Sequence, residues 1–273
     1  MVRAWLVILA LLMGMGISFA AGSDSILASD KRWAQAREEL AQGKAAEAKA
    51  DFEKLLAVYP NEADLHLFLG MALLRLRDPS AAEAAVKRAV ALNPRHVDAR
   101  TFLAWIELEV RGDIDGAIGD YQKVIEMHPE LPEAYSNLAV AQKRKGDFPG
   151  AVASLNRALE LRPDFSAALT TRGGIFAEQN RWAEAERDFA AALKLNPRDD
   201  GALYGLSQAL REGKDYAGAQ RVLGALISRS PNFVYWLEWG RIGLIRYWWV
   251  LLSLAIAVAL RGRFKKVRTA VNG

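Results

Sequence analysis

The chain is 273 residues long, 52% hydrophobic and 25% charged, enough for one or two ordinary globular domains. It contains no cysteine, which excludes disulfides, thiolate metal sites, cysteine nucleophiles and lipid-bearing cysteines. The formal charge is +4, but Arg3 and the tail residues Arg261, Arg263, Lys265, Lys266 and Arg268 more than account for it. Residues 4–260 therefore sum to −2, with no positive excess for neutralising phosphates, and nucleic acid is not expected as a partner.

The N-terminus has a short basic start at Arg3, an uncharged apolar run from Leu6 to Phe19, and small residues at Ser18 and Ala20. These are the parts of a secretory signal peptide over residues 1–20, cleaved after Ala20. Residues 4–23 are uncharged throughout, so an uncleaved N-terminal anchor is the alternative. Either one delivers the repeats out of the cytosol. Residues 21–28 read as a linker.

From Ser29 a ladder of prolines organises the chain. Pro60, Pro94, Pro129, Pro163, Pro197 and Pro231 are separated by 34, 35, 34, 34 and 34 residues, the mark of a repeat architecture. Twelve residues before each proline stands an alanine: Ala48, Ala82, Ala117, Ala151, Ala185 and Ala219. Eight before each is Phe52, Val86, Tyr121, Leu155, Phe189 or Leu223, and five before is Leu55, Ala89, Val124, Ala158, Ala192 or Leu226. Each unit is expected to be a pair of antiparallel helices. The second should start just after Gly43, Asp78, Asp113, Asp147, Asn180 or Asp215, where an aspartate can accept hydrogen bonds from the first-turn amides. Pro79 and Pro149 suit a first turn, and the ladder prolines stop each second helix. Phe148, Trp182 and Tyr216 share one place and read as wedges between helices. Unit three carries one extra residue between Ala104 and Gly112.

This small/large/small/Pro signature over residues 29–231 resembles the tetratricopeptide repeat (TPR) family. The first-helix half is weaker but readable in Leu69-Gly70 with Leu73, Leu138-Ala139, Gly173 with Phe176, and Leu206-Ser207 with Leu210. Unit one departs, with Gln35, Ala36 and Glu39 there, as suits a terminal repeat. The resemblance implies an all-α fold, a right-handed α-solenoid of six helix-turn-helix units, with first helices lining a concave groove that binds partner segments. By place in the repeat, that groove presents Trp33 and Arg37; Leu67, Met71 and Leu74; Thr101 and Trp105; Ser136, Val140 and Lys143; Thr170 and Gly174; and Tyr204, Gln208 and Arg211. Its N-terminal half is apolar and suits an amphipathic helical segment; the alternative is that Leu67, Met71 and Leu74 simply pack between helices. The lysine and asparagine clamp by which some relatives hold a C-terminal carboxylate is absent, since its places hold Trp33/Arg37, Leu67/Met71 and Ser136/Val140.

After Pro231 the pattern changes. Residues 232–241 begin like another first helix and read as a cap. Residues 242–260 hold ten Leu, Ile and Val residues with Arg246 as the sole charge, and span about 28 Å as a helix against a hydrocarbon core of about 30 Å. Those ten favour insertion by roughly 3–6 kcal/mol, and an arginine at mid-membrane costs about 2.5–3.5 kcal/mol, less near an end. A transmembrane helix is expected, with Arg246, Tyr247, Trp248 and Trp249 at one interface; the alternatives are a buried helix that closes the array or one lying flat on the membrane. The basic tail 261–273, carrying Arg261, Arg263, Lys265 and Lys266, is expected at the cytoplasmic interface by the positive-inside bias. The absence of any Asn-x-Ser/Thr sequon leans toward a bacterial envelope.

No constellation for catalysis is present. His66, His96 and His128 fall in unrelated places without convergent ligands, no serine sits in a nucleophile elbow, and no cofactor is implied. The expected function is a non-enzymatic scaffold, membrane-anchored with its repeats facing the periplasm or outer face of the inner membrane, recruiting or assembling envelope proteins. The alternative is a structural subunit that forms a homo-oligomer or caps a larger membrane complex without a free-ligand groove.

Overall fold

The computed structural model describes the backbone of residues 30–271, and side chains as far as Val258 apart from Leu251. The signal peptide or anchor over 1–20 and the linker over 21–28 lie outside the described residues. Among these there are thirteen α-helices, one π-helical turn and no strand.

The helices pair as hairpins. The first four hairpins are α1 (Lys31–Ala41) with α2 (Ala45–Val58), α3 (Ala63–Arg75) with α4 (Pro79–Leu92), α5 (Val97–Ile106) with α6 (Ile114–Met127), and α7 (Pro132–Lys145) with α8 (Phe148–Leu161). They form one compact unit that ends at Pro163. A second unit begins at Asp164 and holds α9 (Ser166–Glu178) with α10 (Trp182–Leu195), α11 (Asp200–Glu212) with α12 (Tyr216–Arg229), and a single long helix α13 (Phe233–Val271).

Each turn between paired helices contains one left-handed residue in the same place: Gly43, Arg77, Gly112, Gly146, Asn180 and Lys214, with φ between 59° and 85°. The next residue is the N-cap of the second helix. Asp78, Asp113, Asp147 and Asp215 each accept a hydrogen bond there, from the amides of Ala81 (3.0 Å), Gly116 (3.0 Å), Gly150 (2.9 Å) and Gly218 (2.9 Å). This satisfies first-turn donors that have no intrahelical partner. In the first and fifth hairpins the start expected after Gly43 or Asn180 moves by one residue. Those two supply the left-handed turn, and Lys44 and Arg181 occupy the cap without a side-chain hydrogen bond.

The second helices stop for a common reason. Their C-caps Tyr59, Asn93, His128, Arg162, Asn196 and Ser230 each precede a ladder proline and leave the helical region, with φ from −124° to −141°, because the proline ring disfavours the α conformation in the residue before it. The extra residue of the third unit becomes a π-helical turn over Glu107–Arg111, the usual way a helix absorbs one inserted residue.

All six ladder alanines are fully buried, and the large residues four places on, Phe52, Val86, Tyr121, Leu155, Phe189 and Leu223, are at most 3% exposed. The helices come closest where a first helix also offers a small residue. A Cβ placed on Gly70 would lie 2.5 Å from Val86 Cγ2 and 3.1 Å from the Ala82 carbonyl oxygen.

Helix α13 differs from the cap-plus-span expected over 232–241 and 242–260, being one continuous helical run. Among the described residues no single straight helix is long and apolar enough to cross a membrane. Its two limbs, Phe233–Val250 and Leu252–Val258, meet at a bend of 43° and reach that length and apolarity only together.

A lysine held at φ 66° strains a backbone that glycine would not. Lys214→Gly should therefore stabilise the second unit by up to about 1 kcal/mol, read as a higher urea midpoint with unchanged helicity.

Candidate functional site

The groove residues expected in the first unit are mostly interior. Trp33, Leu67, Met71, Thr101 and Trp105 are between 1% and 8% exposed, and Ser136 is buried as well. Trp33 meets the edge of Phe68 at 4.9 Å between ring centroids and Phe52 at 5.8 Å, while Trp105 stacks on Phe102 at 5.8 Å. The Arg37 guanidinium lies 5.5 Å from the ring centres of both Trp33 and Phe68. Leu74 and Val140 are partly buried against the same cores, and Lys143 is half-buried. The expected apolar groove in the N-terminal half is therefore corrected: its two tryptophans are enclosed core residues, because neighbouring first helices approach closely enough to close over them.

The second unit is different. Thr170 and Gly174 on α9 and Tyr204 and Gln208 on α11 line one cleft of about 450 Å³. Glycine opens it. Gly174 stands in the register that elsewhere carries Arg37, Met71, Trp105, Val140 and Gln208, and a Cβ there would meet nothing within 4 Å. The floor is Phe189 from α10, 3% exposed. It lies so close under α11 that a Cβ on Gly205 would come within 2.3 Å of its ring. Trp182 forms part of the wall, so this aromatic, expected only as a wedge, borders the open space.

Polar groups fix the cleft's frame. Thr170 Oγ1 donates to Asp199 Oδ2 at 2.7 Å, and Asp199 also caps α11 by accepting from the Ala202 amide at 3.0 Å. Beneath, Arg172 forks onto the buried Asp188 at 2.7 and 2.8 Å, tying α9 to α10. Tyr204 packs on Tyr235 of α13 at 5.4 Å. Arg211, expected in the groove, bridges Glu212 at 2.8 Å and Glu238 of α13 at 2.9 Å and does not line the cleft. Gly201 and Gly205 line it without having been singled out by sequence, and Phe189, read there only as a large residue of the repeat, is its floor. The signal available was the cluster of glycines on two facing first helices.

A second recess of about 240 Å³ surrounds the π-helical turn, lined by Glu83, Lys87, Glu107, Arg111, Gly112 and Asp113. Burial, and then the nearby carboxylates of Asp120 and Asp113, push Glu107 up from 4.5 to about 7. The recess is polar and its ions pair among themselves, Lys87 and Arg111 both reaching Glu83 at 2.7 and 3.3 Å. The histidines are engaged locally: His96 with Asp64 at 2.9 Å, His66 with the Pro60 carbonyl at 3.0 Å and His128 with Glu130 at 3.1 Å. Among the described residues no group of three or more His, Cys, Asp or Glu is placed to hold a metal ion.

Of the expected membrane-interface residues, Tyr247, Trp248 and Trp249 are 46%, 60% and 58% exposed. Arg246 donates to Gln220 Oε1 at 3.2 Å and lies 4.9 Å from the centre of the Tyr247 ring. The side chains of Arg261, Arg263, Lys265 and Lys266 lie outside the described residues.

Antiparallel helical hairpins with a cleft between successive first helices define a helical-repeat interaction module, a fold that is generally non-catalytic. The chain belongs to the tetratricopeptide repeat family, whose sequence models match residues 34–94 and 69–132, and 111–172 and 176–237. No curated protein matches it. Among solved structures, it is similar to PilW, a type IV pilus biogenesis factor, at 16% identity and a TM-score of 0.68, over 75% of this chain and 94% of that one. It is also similar to YrrB, a TPR protein with an unusual peptide-binding site, at 19% identity and 0.52, over 70% and 97%. A chain of the APC/C hetero-tetramer Cut9-Hcn1 matches at 19% and 0.65 over 77% of this chain, which spans only 42% of that chain's length.

Burial at these positions has two measurable consequences. Trp33→Ala should cost about 3–5 kcal/mol, as removal of an enclosed aromatic does, and lower the melting temperature clearly. For Glu107, the folded protein keeps its proton to about pH 7 while the unfolded chain releases it near 4.5. The Glu107 contribution is therefore present at low pH and is lost as pH rises through that window. Glu107→Gln should melt higher than the parent above pH 7, with the difference vanishing below about pH 4.5 in paired thermal scans.

Proposed function

We propose that this chain is a non-catalytic protein-interaction scaffold that captures a segment of a partner in the cleft between α9 and α11, and that α13 holds it at a membrane. The carrying observation is the cleft: an apolar recess over Phe189, opened where Gly174 withholds the side chain that the other five units supply. A recess walled by Trp182 and Tyr204 beside the polar Thr170 and Gln208 suits an apolar side chain presented on a backbone whose amides meet those polar groups. Peptide capture by YrrB, a protein of the same fold, supports this mode.

The membrane part rests on α13 and the sequence. Leu244, Trp248, Trp249, Leu252, Leu254, Ile256 and Val258 are all between 49% and 67% exposed. From Leu252 to Val258 every residue is exposed, so this stretch is bare all round the helix, which suits lipid rather than water. The expected N-terminal export signal and the basic tail support a topology with the repeats outside the cytosol and the C-terminus inside, and with it partners among envelope proteins.

The cleft can be filled without disturbing packing. Gly174→Leu meets open space and replaces a helical glycine, so the melting temperature should hold or rise by an amount corresponding to up to about 1 kcal/mol. A photocrosslinker at Gln208 in living cells should give a discrete adduct that Gly174→Leu abolishes; an adduct indifferent to that change would move the binding surface elsewhere. Protease added to intact spheroplasts should digest the repeats, and their protection would overturn the orientation.

A further inference from the structure

Helix α13 has two unlike sides. One is docked on the last hairpin. Ile242 is 2% exposed in a cluster with Leu223, Leu226 and Ile227, Glu238 pairs with Arg211 at 2.9 Å, and Gln220 donates to the Trp239 carbonyl at 3.3 Å and accepts from Arg246 at 3.2 Å. On the other side Phe233, Trp236, Leu237, Leu244 and Trp248 are 73%, 54%, 57%, 63% and 60% exposed. At about 100° per residue these five fall within an arc of about 120°, in a stripe about 22 Å long.

The repeat identifies this face. Trp236 and Leu237 stand 34 residues after Ala202 and Leu203, which are 0% and 9% exposed within the preceding hairpin. Helix α13 has the first-helix place of a seventh unit, and no second helix is paired with it among the described residues. Its packing face is therefore uncovered, and where a smaller residue would serve, the chain places tryptophan.

Charge and continuity select the occupant. Beside the stripe Arg241 is 67% exposed, 3.6 Å from a Glu238 that Arg211 already pairs. The stripe runs into residues 247–258, which carry no charge and are exposed all round from Leu252. A protein partner would cover one side of such a helix, whereas a bilayer accounts for a one-sided stripe that becomes a full circumference further along. Aromatic side chains concentrate at the headgroup level, and basic ones are drawn to anionic lipid.

We infer that the Phe233–Trp248 face of α13 is embedded in the headgroup layer of an anionic bilayer, so that the final repeat rests directly on the membrane surface instead of standing off on a tether. The inference rests on the membrane reading above and adds to it where the surface meets the protein.

The absence of cysteine makes the test direct. Single cysteines at Phe233, Leu237, Leu254 and Arg187 of the full chain, each spin-labelled, are placed in vesicles of phosphatidylcholine with phosphatidylglycerol, and relaxation by oxygen is compared with relaxation by a water-soluble nickel chelate. The labels at 233, 237 and 254 should favour oxygen several-fold relative to the label at 187 on α10, and the preference at 233 and 237 should shrink when phosphatidylglycerol is omitted. If 254 is in lipid while 233 and 237 are as open to nickel as 187, the inference fails and the anchor stands. If 254 is also open to nickel, the membrane reading fails and takes the inference with it. Labels at 233 and 237 shielded from both reagents and broadened by spin–spin coupling would mean that a second copy covers the stripe, and would overturn the inference as well.

Discussion

Two helices can lie backbone to backbone only where one of them offers little more than a methyl group, and this chain meets that requirement once in every unit. The ladder alanines are fully enclosed, and the large residue one turn further on fills the space beside the contact. A hairpin built this way buries one side of each helix and leaves the others bare, so each unit needs a neighbour. The fold's uses come from the places where that demand is met incompletely.

The cleft of the second unit is one such place. Close packing normally leaves no recess between adjacent first helices, and in the first unit it leaves none around Trp33 and Trp105. Between α9 and α11, Gly174 leaves open space, while Gly205 lets the Phe189 ring press against α11 and form a floor. A glycine in a helix interior costs roughly 0.5–1 kcal/mol relative to alanine. Gly174, where a Cβ would meet nothing within 4 Å, therefore exchanges stability for open space, and that favours this cleft over the filled interior as the contact surface. Arg172 with Asp188, and Thr170 with Asp199, hold the frame rigid around it.

The end of the array is the other place. The last hairpin must cover its outer side with something, and α13 supplies one helix that repeats the problem one layer out. With tryptophan and leucine where α11 has alanine and leucine, the outermost face of α13 is large, apolar and exposed. Arg246 lies against Gln220 and Tyr247 and so does not enter the apolar limb unaccompanied.

The hairpins, their period and their turns were legible from residues alone, because each is decided by local chemistry. A proline ends a helix by what it does to the residue before it, and an aspartate begins one by capping its amides. The inserted residue of unit three could be counted, but its conversion into a π-helical turn at Glu107–Arg111, closing α5 just before the left-handed Gly112, is a matter of backbone hydrogen bonding that no count shows. The choice between groove and core at Trp33, Met71 and Trp105 depended on how closely neighbouring first helices approach. That is a sum over side chains distant in the chain, and no periodic pattern encodes it. The sequence determined by itself that this is a tandem array of helical hairpins with an apolar, basic C-terminus. Only the tertiary structure decided that the open surface lies over Phe189 and on the outer face of α13, since a cavity or an uncovered face is defined by the side chains that fail to reach it.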